Sequence, residues 1–311
     1  ENSGTRRNLE VDFFGGEPLM NFDMVKKLVA YCREQEKIHN KNFRFTMTTN
    51  GMLIDDDVID FCNKECHNVV LSLDGRKEVN DRFRKDYAGR GSYDTIVPKF
   101  QEFVKKRGDK NYYMRGTYTH FNTDFTNDIF HMADLGFTEL SMEPVVSKPG
   151  DPSALTEEDL PILKEQYEIL AKEMIKRDRE GRGFTFYHYM IDLTGGPCIY
   201  KRISGCGSGT EYMAGTPSGH VYPGAICTPA TSSWATPSTC WAISGRVSPT
   251  PPCGMSSSTA TPMPARSART AGQSCTAPAA VQQTPTTLPA TLPVCMSTAA
   301  SCSKSEWNAL S

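Results

Sequence analysis

The sequence predicts an α/β fold built on a parallel sheet over its first 150 residues. Five apolar runs have strand character, amphipathic stretches with helical spacing lie between them, and the runs carry or end in polar residues or glycine. Strands that alternate with helices imply βαβ units. The pattern leaves open whether the parallel sheet closes toward a barrel or stays an open, doubly wound sheet.

The first predicted strand, 9–14, alternates apolar and polar residues and ends at the sequence Gly-Gly-Glu-Pro, 15–18. Two adjacent glycines allow close approach of the backbone to a ligand, and the carboxylate of Glu17 can accept hydrogen bonds from an ammonium group. A helix is predicted next, because four apolar residues recur at helical spacing: Val25, Leu28, Val29 and Cys32.

The four later strands are predicted at 43–49, 69–73, 112–119 and 139–146. The first two end in Asn50-Gly51 and Asp74-Gly75, and the other two carry Arg115 and Glu143. Because parallel α/β sheets build their sites at the carboxyl ends of strands, these polar groups are expected on one rim.

Helices are predicted between and after these strands, at 55–64, 92–106, 123–135 and 156–180. Ser92 and Thr123 have the side chains of N-caps. In the long helix 156–180, six residues are predicted to point inward: Leu160, Leu163, Tyr167, Leu170, Ala171 and Met174.

Ordered motifs at these strand ends, GGEP, TMTTNG and LSLDG, resemble those of radical S-adenosylmethionine (SAM) enzymes. The strings VDFFGGEPLMNF, LSLDGRKEVNDRFR, RGTYTHFNTDF and GCGSGTEYMAGTPSGHVYP most resemble the maturases of SCIFF peptides (six cysteines in forty-five residues), a thioether-forming subgroup with a C-terminal SPASM region. The resemblance runs from the first residue to about Pro223. It implies a partial (β/α) barrel whose first strand and cluster loop are missing from this sequence.

The resemblance also implies a SAM site. Glu17 and the backbone of Gly15 and Gly16 would hold the methionyl ammonium, Phe14 would belong to the same cofactor site, and Thr48 and Asn50 would line the rim. Ser72 and Asp74 would meet the ribose or the methionyl end, Arg115 would pair with the SAM carboxylate, and Glu143 would lie near the adenine or the substrate.

The residues themselves allow other interpretations. Asn50-Gly51 and Asp74-Gly75 are ordinary turn dipeptides. Arg115 on a strand is also compatible with a surface ion pair, and Glu143 before Pro144 with a solvated loop. These interpretations stay open at the level of sequence.

The cluster-binding CxxxCxxC loop of the resembled family is absent, since no cysteine precedes Gly15. The expectation is therefore a fragment that lacks an N-terminal region and its SAM-cleaving [4Fe-4S] cluster. Cys32 and Cys62 lie on apolar helical faces and are expected to be buried small hydrophobes. For Cys66, burial and half exposure are both open.

Beyond the barrel, 1–150, three segments are predicted: a helical connector, 151–197; the start of a SPASM region, 198–223; and a tail, 224–311. Cys206 is the candidate ligand of an auxiliary cluster, because thiolates are the usual iron–sulfur ligands. A free thiol in a glycine-rich turn is its alternative, and Cys198 is a weaker candidate. The SPASM spacing requires a cysteine where Gly224 stands.

Composition changes at Gly224: no Asp, Tyr, Phe or His follows, while Pro, Ser, Thr and Ala dominate. Such a tail is expected to be disordered. An out-of-frame translation fits better, because the shifted codons permit cysteine-rich strings that resemble SPASM sequence.

The resemblance implies a cytoplasmic peptide maturase that uses SAM and [4Fe-4S] clusters. Its 5′-deoxyadenosyl radical would take a hydrogen atom from a ribosomally made, Cys-rich precursor peptide, and a thioether would follow; an electron donor is a further expected partner. The alternatives are a non-catalytic remnant and another SPASM-type maturase. The net charge of −2 gives no reason to expect nucleic acid, and the apolar runs are too short to cross a membrane.

Overall fold

The computed structural model describes residues 3–147, 150–190, 212–216, 220–222, 242–243, 246–247 and 294–297. Six parallel strands form its centre, and five of them fall within a few residues of the predicted positions. They are β1 (Asn8–Phe13), β2 (Asn42–Thr49), β3 (Cys66–Ser72), β4 (Tyr113–Tyr118), β5 (Glu139–Pro144) and β6 (Thr185–Phe186). The sixth, β6, is too short to have been found from its pattern.

Six α-helices connect or follow these strands. They are α1 (Phe22–His39), α2 (Asp56–Glu65), α3 (Lys77–Phe83), α4 (Tyr93–Arg107), α5 (Thr126–Asp134) and α6 (Leu160–Arg179). Helix α2 begins where its sequence predicts, because the side chain of Asp55 accepts a hydrogen bond from the backbone N–H of Val58. Helix α3 was not predicted; at seven residues it is shorter than a two-turn pattern needs.

Strands β1 to β6 lie in sequential order, and each pairs in parallel with the next. This is the parallel arrangement that the alternation of strands and helices predicts. Antiparallel strands extend the sheet beyond β1: β7 (Tyr212–Gly215), β8 (His220–Tyr222), β9 (Ala242–Ile243), β10 (Arg246–Val247) and β11 (Val294–Ser297). Among them β11 pairs directly with β1.

The two faces of the parallel sheet differ in polarity. One face packs on the helices and forms the core, with Val11, Phe45 and Met47 from the strands and Val29 and Cys62 from the helices. Side chains alternate along a strand, so the intervening residues lie on the other face. This polar face carries Glu10, Asp12, Arg44, Thr46, Thr48, Ser72, Tyr113, Arg115, Ser141 and Glu143.

Neither residue predicted as a helix cap makes a capping hydrogen bond to the predicted helix. Ser92 does stand at the N-cap position of α4, but its side chain makes no capping bond and its hydroxyl instead contacts the amide of Asn80 at 3.2 Å. Thr123 ends a 3-10 helix, and the hydroxyl of Thr119 caps that short helix by accepting from the N–H of Phe121. Helix α5 therefore begins three residues later than predicted.

The inward face of α6 is largely as predicted. Leu163 and Leu170 are buried, and Tyr167, Ala171 and Met174 are partly buried. Leu160 is an error: its exposed fraction is 54%, because it starts the helix beyond the edge of the core.

The later predicted segments fall mostly outside the described residues. The connector is described only to Met190, and Cys198 and Cys206 are not described. Within the tail, the described parts are the short strands β9, β10 and β11. The proposed boundaries of the connector, the SPASM region and the tail remain predictions. In the described part of the chain, no helix is both long enough and apolar enough to cross a bilayer.

Candidate functional site

The turn after β1 brings a carboxylate to the carboxyl edge of the sheet. Gly15 and Gly16 have φ angles of 93° and 54°, values that favour glycine, so the chain can bend sharply there. Glu17 follows at the N-cap of the 3-10 helix Pro18–Asn21. The fixed φ of Pro18 suits the first helical position and holds this turn in place.

Glu17 is held by three hydrogen bonds. Its Oε1 accepts from the N–H of Leu19 at 3.1 Å and from the hydroxyl of Thr49 at 2.8 Å, and its Oε2 accepts from the N–H of Asn50 at 2.7 Å. The carboxylate therefore joins the ends of β1 and β2. Burial raises the pKa of Glu17, and the three hydrogen bonds act in the opposite direction.

No lysine or arginine of the described residues pairs with Glu17. An ionised carboxylate can accept about four hydrogen bonds. Three are used, and one acceptor position on Oε2 is left for a ligand. A partly buried carboxylate with only neutral partners is a natural receptor for a ligand cation, since charges withdrawn from water are normally paired.

Arg115 and Glu143 form an ion pair on the polar face, on the adjacent strands β4 and β5. Nη2 of Arg115 lies 2.7 Å from Oε2 of Glu143, and the side chains are 21% and 16% exposed. The solvated-loop interpretation of Glu143 is thus wrong, while Arg115 does make an ion pair. Only one of the five guanidinium N–H donors is used here, so the others can reach a ligand carboxylate.

The other residues predicted to contact SAM lie between Glu17, after β1, and the ion pair of Arg115 with Glu143. Ser72 is the register partner of Arg115 on the neighbouring strand, and Thr48 lies on the same polar face of β2. Phe14 and Asn50 follow the ends of β1 and β2. The side chain of Asn50 accepts a hydrogen bond from the N–H of Met52 at 3.0 Å, which is the turn geometry expected for Asn-Gly.

Asp74 has a different environment from its neighbours. It is only 1% exposed, and its two oxygens accept from Nε and Nη2 of Arg84 at 2.7 and 2.9 Å. The N–H of Thr117 donates to the same carboxylate at 3.0 Å. Protein donors therefore hold both oxygens, so this contact fixes the end of β3. A direct contact of Asp74 with SAM stays a prediction.

Two clusters on the polar face were not found from the sequence. Asp12 is hydrogen-bonded by Thr46, and burial, assisted by nearby Glu10, raises its pKa to about 6. At the other end of the same face, beside β5 and β6, the hydroxyl of Ser141 lies 3.3 Å from Nε2 of His188. Strand alternation predicts that Asp12 and Ser141 share a face, but β6 had to be known before His188 could be placed.

The described cysteines do not form a cluster site. Cys32, Cys62 and Cys66 are all buried, which also decides the open question about Cys66. Burial raises the pKa of the Cys32 thiol to about 11, and a hydrogen bond with Cys62 together with burial raises the pKa of Cys66. Metal ligation needs thiolates, which these shifts disfavour. In the described ranges, no group of three His, Cys, Asp or Glu residues is arranged to hold a metal ion.

Comparison with known proteins gives a family match over the region just described. Residues 6–143 match the model of the Radical SAM superfamily. The chain is 32% identical over 92 residues to a cysteine-type anaerobic sulfatase-maturating enzyme of Clostridium novyi, covering 29% of this chain and 24% of that protein. It is 21% identical over 160 residues to the radical SAM cyclopropyl synthase TigE of Paramaledivibacter caminithermalis, covering 47% and 32%. The chain thus matches about a quarter to a third of the length of these relatives.

Solved structures show the same fold. The structure of native anSMEcpe with bound AdoMet and Kp18Cys peptide superposes with a TM-score of 0.60 at 18% identity, covering 78% of this chain and 66% of that one. At this identity the likeness establishes the fold. The mixed α/β architecture is that of a partial radical SAM (β/α) barrel.

Proposed function

We propose that this chain, whose residues 6–143 form a radical SAM domain, binds SAM at the carboxyl edge of β1 to β5. The observation that carries the proposal is the partly buried carboxylate of Glu17, which has three neutral donors and no cationic partner among the described residues. The methionyl end of SAM carries an ammonium and a carboxylate. Glu17 and Arg115 supply the complementary charges.

The remaining residues of the rim have matching chemistry. The turn at Gly15 and Gly16 brings backbone close to the ammonium side, and Ser72 supplies a hydroxyl beside Arg115. In the superfamily, SAM supplies a 5′-deoxyadenosyl radical. This chain's own residues would orient the charged end of SAM and separate it from bulk water.

The described residues do not fit a [4Fe-4S] cluster, and the sequence carries no CxxxCxxC loop, so no step through a cluster is derived for this sequence. We propose that residues 1–311 alone bind SAM but do not cleave it. Anaerobic reconstitution with iron and sulfide, followed by a SAM-cleavage assay, tests this. Formation of 5′-deoxyadenosine above background would contradict it.

For the whole enzyme we propose maturation of a peptide or protein, with thioether formation in a Cys-rich ribosomal peptide as the favoured reaction. The relative named as a sulfatase-maturating enzyme supports modification of a polypeptide, and the SCIFF-like motifs support the thioether product. A different SPASM-type product remains the second candidate. Mass spectrometry of a co-expressed Cys-rich peptide before and after thiol alkylation distinguishes them, since a thioether lowers the peptide mass by two hydrogens and also removes one cysteine from alkylation, whereas a new carbon–carbon bond leaves every thiol free to react.

Binding of SAM by the full chain is the direct test of the site. Isothermal titration calorimetry should show one SAM site, and Arg115→Ala should weaken it. Lys105→Ala, on the exposed end of α4, is the control and should leave SAM affinity unchanged. If the full chain folds and shows no SAM binding at millimolar ligand, the proposed function is wrong.

We also propose that the tail after Pro223 is read out of frame. Two observations support this proposal. The composition changes at Gly224, and the SPASM spacing from Cys206 through Gly219 requires a cysteine at the same position. In the restored frame the DNA should encode Tyr-Pro-Cys there and a Cys-x-Gly-Gly-Cys segment from the codons of 276–281. Stop codons in that frame would rule the proposal out.

A further inference from the structure

A cavity of about 230 Å³ lies beside the proposed SAM rim, between α3 and the segment that follows β4. Arg76, Arg82 and Phe83 line one side, and Phe121 and Asp124 line the other. Both walls follow strands at their carboxyl ends, so the cavity opens on the same edge of the sheet as Ser72 and Arg115.

Most polar groups of this cavity already have partners. Arg76 is fixed by Asp128, at 2.8 Å from Nε, and by Asp124, at 2.9 Å from Nη2. The exposed carboxylate of Glu78, which also lines the cavity, lies 3.9 Å from the same Nε. The amide of Asn122 donates to Asp128 at 3.2 Å. The wall is thus rigid, and these groups have little capacity left for a ligand.

Arg82 is the exception. Its guanidinium lies over the ring of Phe121, with Cζ 4.7 Å from the ring centroid, and no carboxylate of the described residues pairs with it. Phe121 is 45% exposed, and its ring lies 6.2 Å from that of Phe83. The cavity therefore combines two aromatic rings with one guanidinium that has no carboxylate partner among the described residues, and its donors suit planar, bidentate binding of a carboxylate.

The size of the cavity selects a small occupant. It is below the roughly 300–1,000 Å³ of sites for whole small molecules. It exceeds the ~30 Å³ that one water molecule occupies in the liquid by several times. A single amino-acid side chain fits this range.

We propose that this cavity is a specificity subsite that receives a glutamate or aspartate side chain of the peptide substrate, with Arg82 binding the carboxylate and Phe121 contacting its methylene stem. This rests on the proposed function, because it presumes a peptide substrate at this edge. Arg82 is a recognition residue here and takes no part in the chemistry of SAM.

The test uses two short probes, Ac-Ala-Glu-Ala-NH₂ and Ac-Ala-Gln-Ala-NH₂, titrated at millimolar concentration into the full chain. Binding is followed through the arginine Nε–H signals in ¹⁵N-resolved NMR. The glutamate probe should shift one arginine signal saturably, and the glutamine probe should bind at least about tenfold more weakly, since one charge-assisted contact is lost.

Two variants assign the effect to the cavity. Arg82→Gln should remove the preference for glutamate, and Phe121→Ala should weaken the glutamate probe. The matched control is Arg182→Gln, an exposed arginine just before β6 at the opposite, amino edge of the sheet. It should leave probe binding unchanged, and circular dichroism should show that all three variants are folded.

Equal affinity for the two probes, or a glutamate preference that survives Arg82→Gln, would overturn the subsite. SAM binding is measured on the same samples. If the parent chain binds SAM but shows no preference between the two probes, only the subsite is refuted, whereas a preference in a parent chain that does not bind SAM refutes only the proposed SAM function.

Discussion

Arg84 and Asp74 form a bidentate ion pair in which both carboxylate oxygens lie within 2.9 Å of guanidinium nitrogens. Asp74 is 1% exposed and Arg84 is 23% exposed. The pair joins the end of β3 to the loop after α3, and the N–H of Thr117 ties the same carboxylate to β4. Removal of Arg84 leaves the buried carboxylate of Asp74 without its guanidinium counter-charge.

Arg84→Ala should therefore lower the free energy of unfolding by about 3–5 kcal/mol. The control is Arg90→Ala, whose ion pair with Asp86 involves an arginine side chain that is 80% exposed. An exposed pair contributes only about 0–1 kcal/mol. Urea unfolding followed by circular dichroism compares the two variants, and equal losses would contradict the structural role of Asp74.

Gly75 tests how tightly the loop after β3 is packed. It has φ of +105°, and an added Cβ would lie 2.2 Å from Cβ of Asp128. Gly89 has a similar φ of +78°, but a Cβ there would meet nothing within 4 Å. Gly89→Ala should cost about 1–2 kcal/mol for the left-handed backbone alone.

Gly75→Ala should cost a further ~1–3 kcal/mol, because the added methyl group also overlaps its neighbour. Urea midpoints of the two variants give the comparison directly. A loss in Gly75→Ala no greater than that in Gly89→Ala would mean that Asp128 moves aside, and that the loop is looser than its contacts indicate.

Local sequence patterns were sufficient to predict the strands and the polar residues at or near their ends. Glu17 could be placed because a strand, two glycines and a helix follow one another within a short stretch. Arg115 and Glu143 could be placed on one face because side chains alternate along strands. The pairing of two neighbouring parallel strands then brings Arg115 and Glu143 into contact, and this contact cannot be predicted from their spacing in the sequence.

The features that could not be predicted depend on contacts between separate elements, and the local sequence pattern contains no information about such contacts. Arg84 lies in a charged stretch whose sequence is typical of a solvated surface. Only the fold shows that its guanidinium pairs with the carboxylate of Asp74. The caps failed for a related reason. Serine and threonine hydroxyls have several acceptors and donors within reach, and Ser92 bonds to Asn80 rather than to its own helix.

Asp12 should make stability depend on pH. Burial raises its pKa from 3.8 to about 6, so the folded chain binds this proton more tightly than the unfolded chain does. Protonation therefore favours folding, and the contribution of Asp12 to stability should rise as the pH falls from above 6 toward 4. Above that window its ionisation opposes folding by roughly 3 kcal/mol at most.

Asp12→Asn should consequently be more stable than the parent at about pH 8, and the difference should shrink to roughly a third at about pH 4.5. Asp109→Asn, in an exposed loop, is the control and should show no such change. The measurement is urea unfolding at both pH values. If the free energies of unfolding of the parent and Asp12→Asn differ by the same amount at both pH values, the pKa of Asp12 is not raised by burial.

Glu17→Gln separates the ligand role of this residue from its role in joining β1 and β2. Glutamine keeps one oxygen for the N–H donors of Leu19 or Asn50 but removes the charge that would meet the SAM ammonium. The loss of a desolvated charge-assisted contact costs about 2–5 kcal/mol, so the dissociation constant for SAM should rise roughly 30-fold or more. Glu34→Gln, on the exposed face of α1, should leave it unchanged.

The pH dependence of SAM affinity gives a second and independent signature of Glu17. Because burial raises its pKa, the carboxylate loses its charge at a higher pH than an exposed glutamate would. SAM affinity of the parent chain should fall as the pH is lowered through that range, whereas Glu17→Gln should show a flatter profile. Calorimetric titrations at several pH values, with circular dichroism to confirm folding, provide the comparison. Parallel profiles for the two proteins would mean that another group binds the ammonium, and the assignment of Glu17 would be wrong.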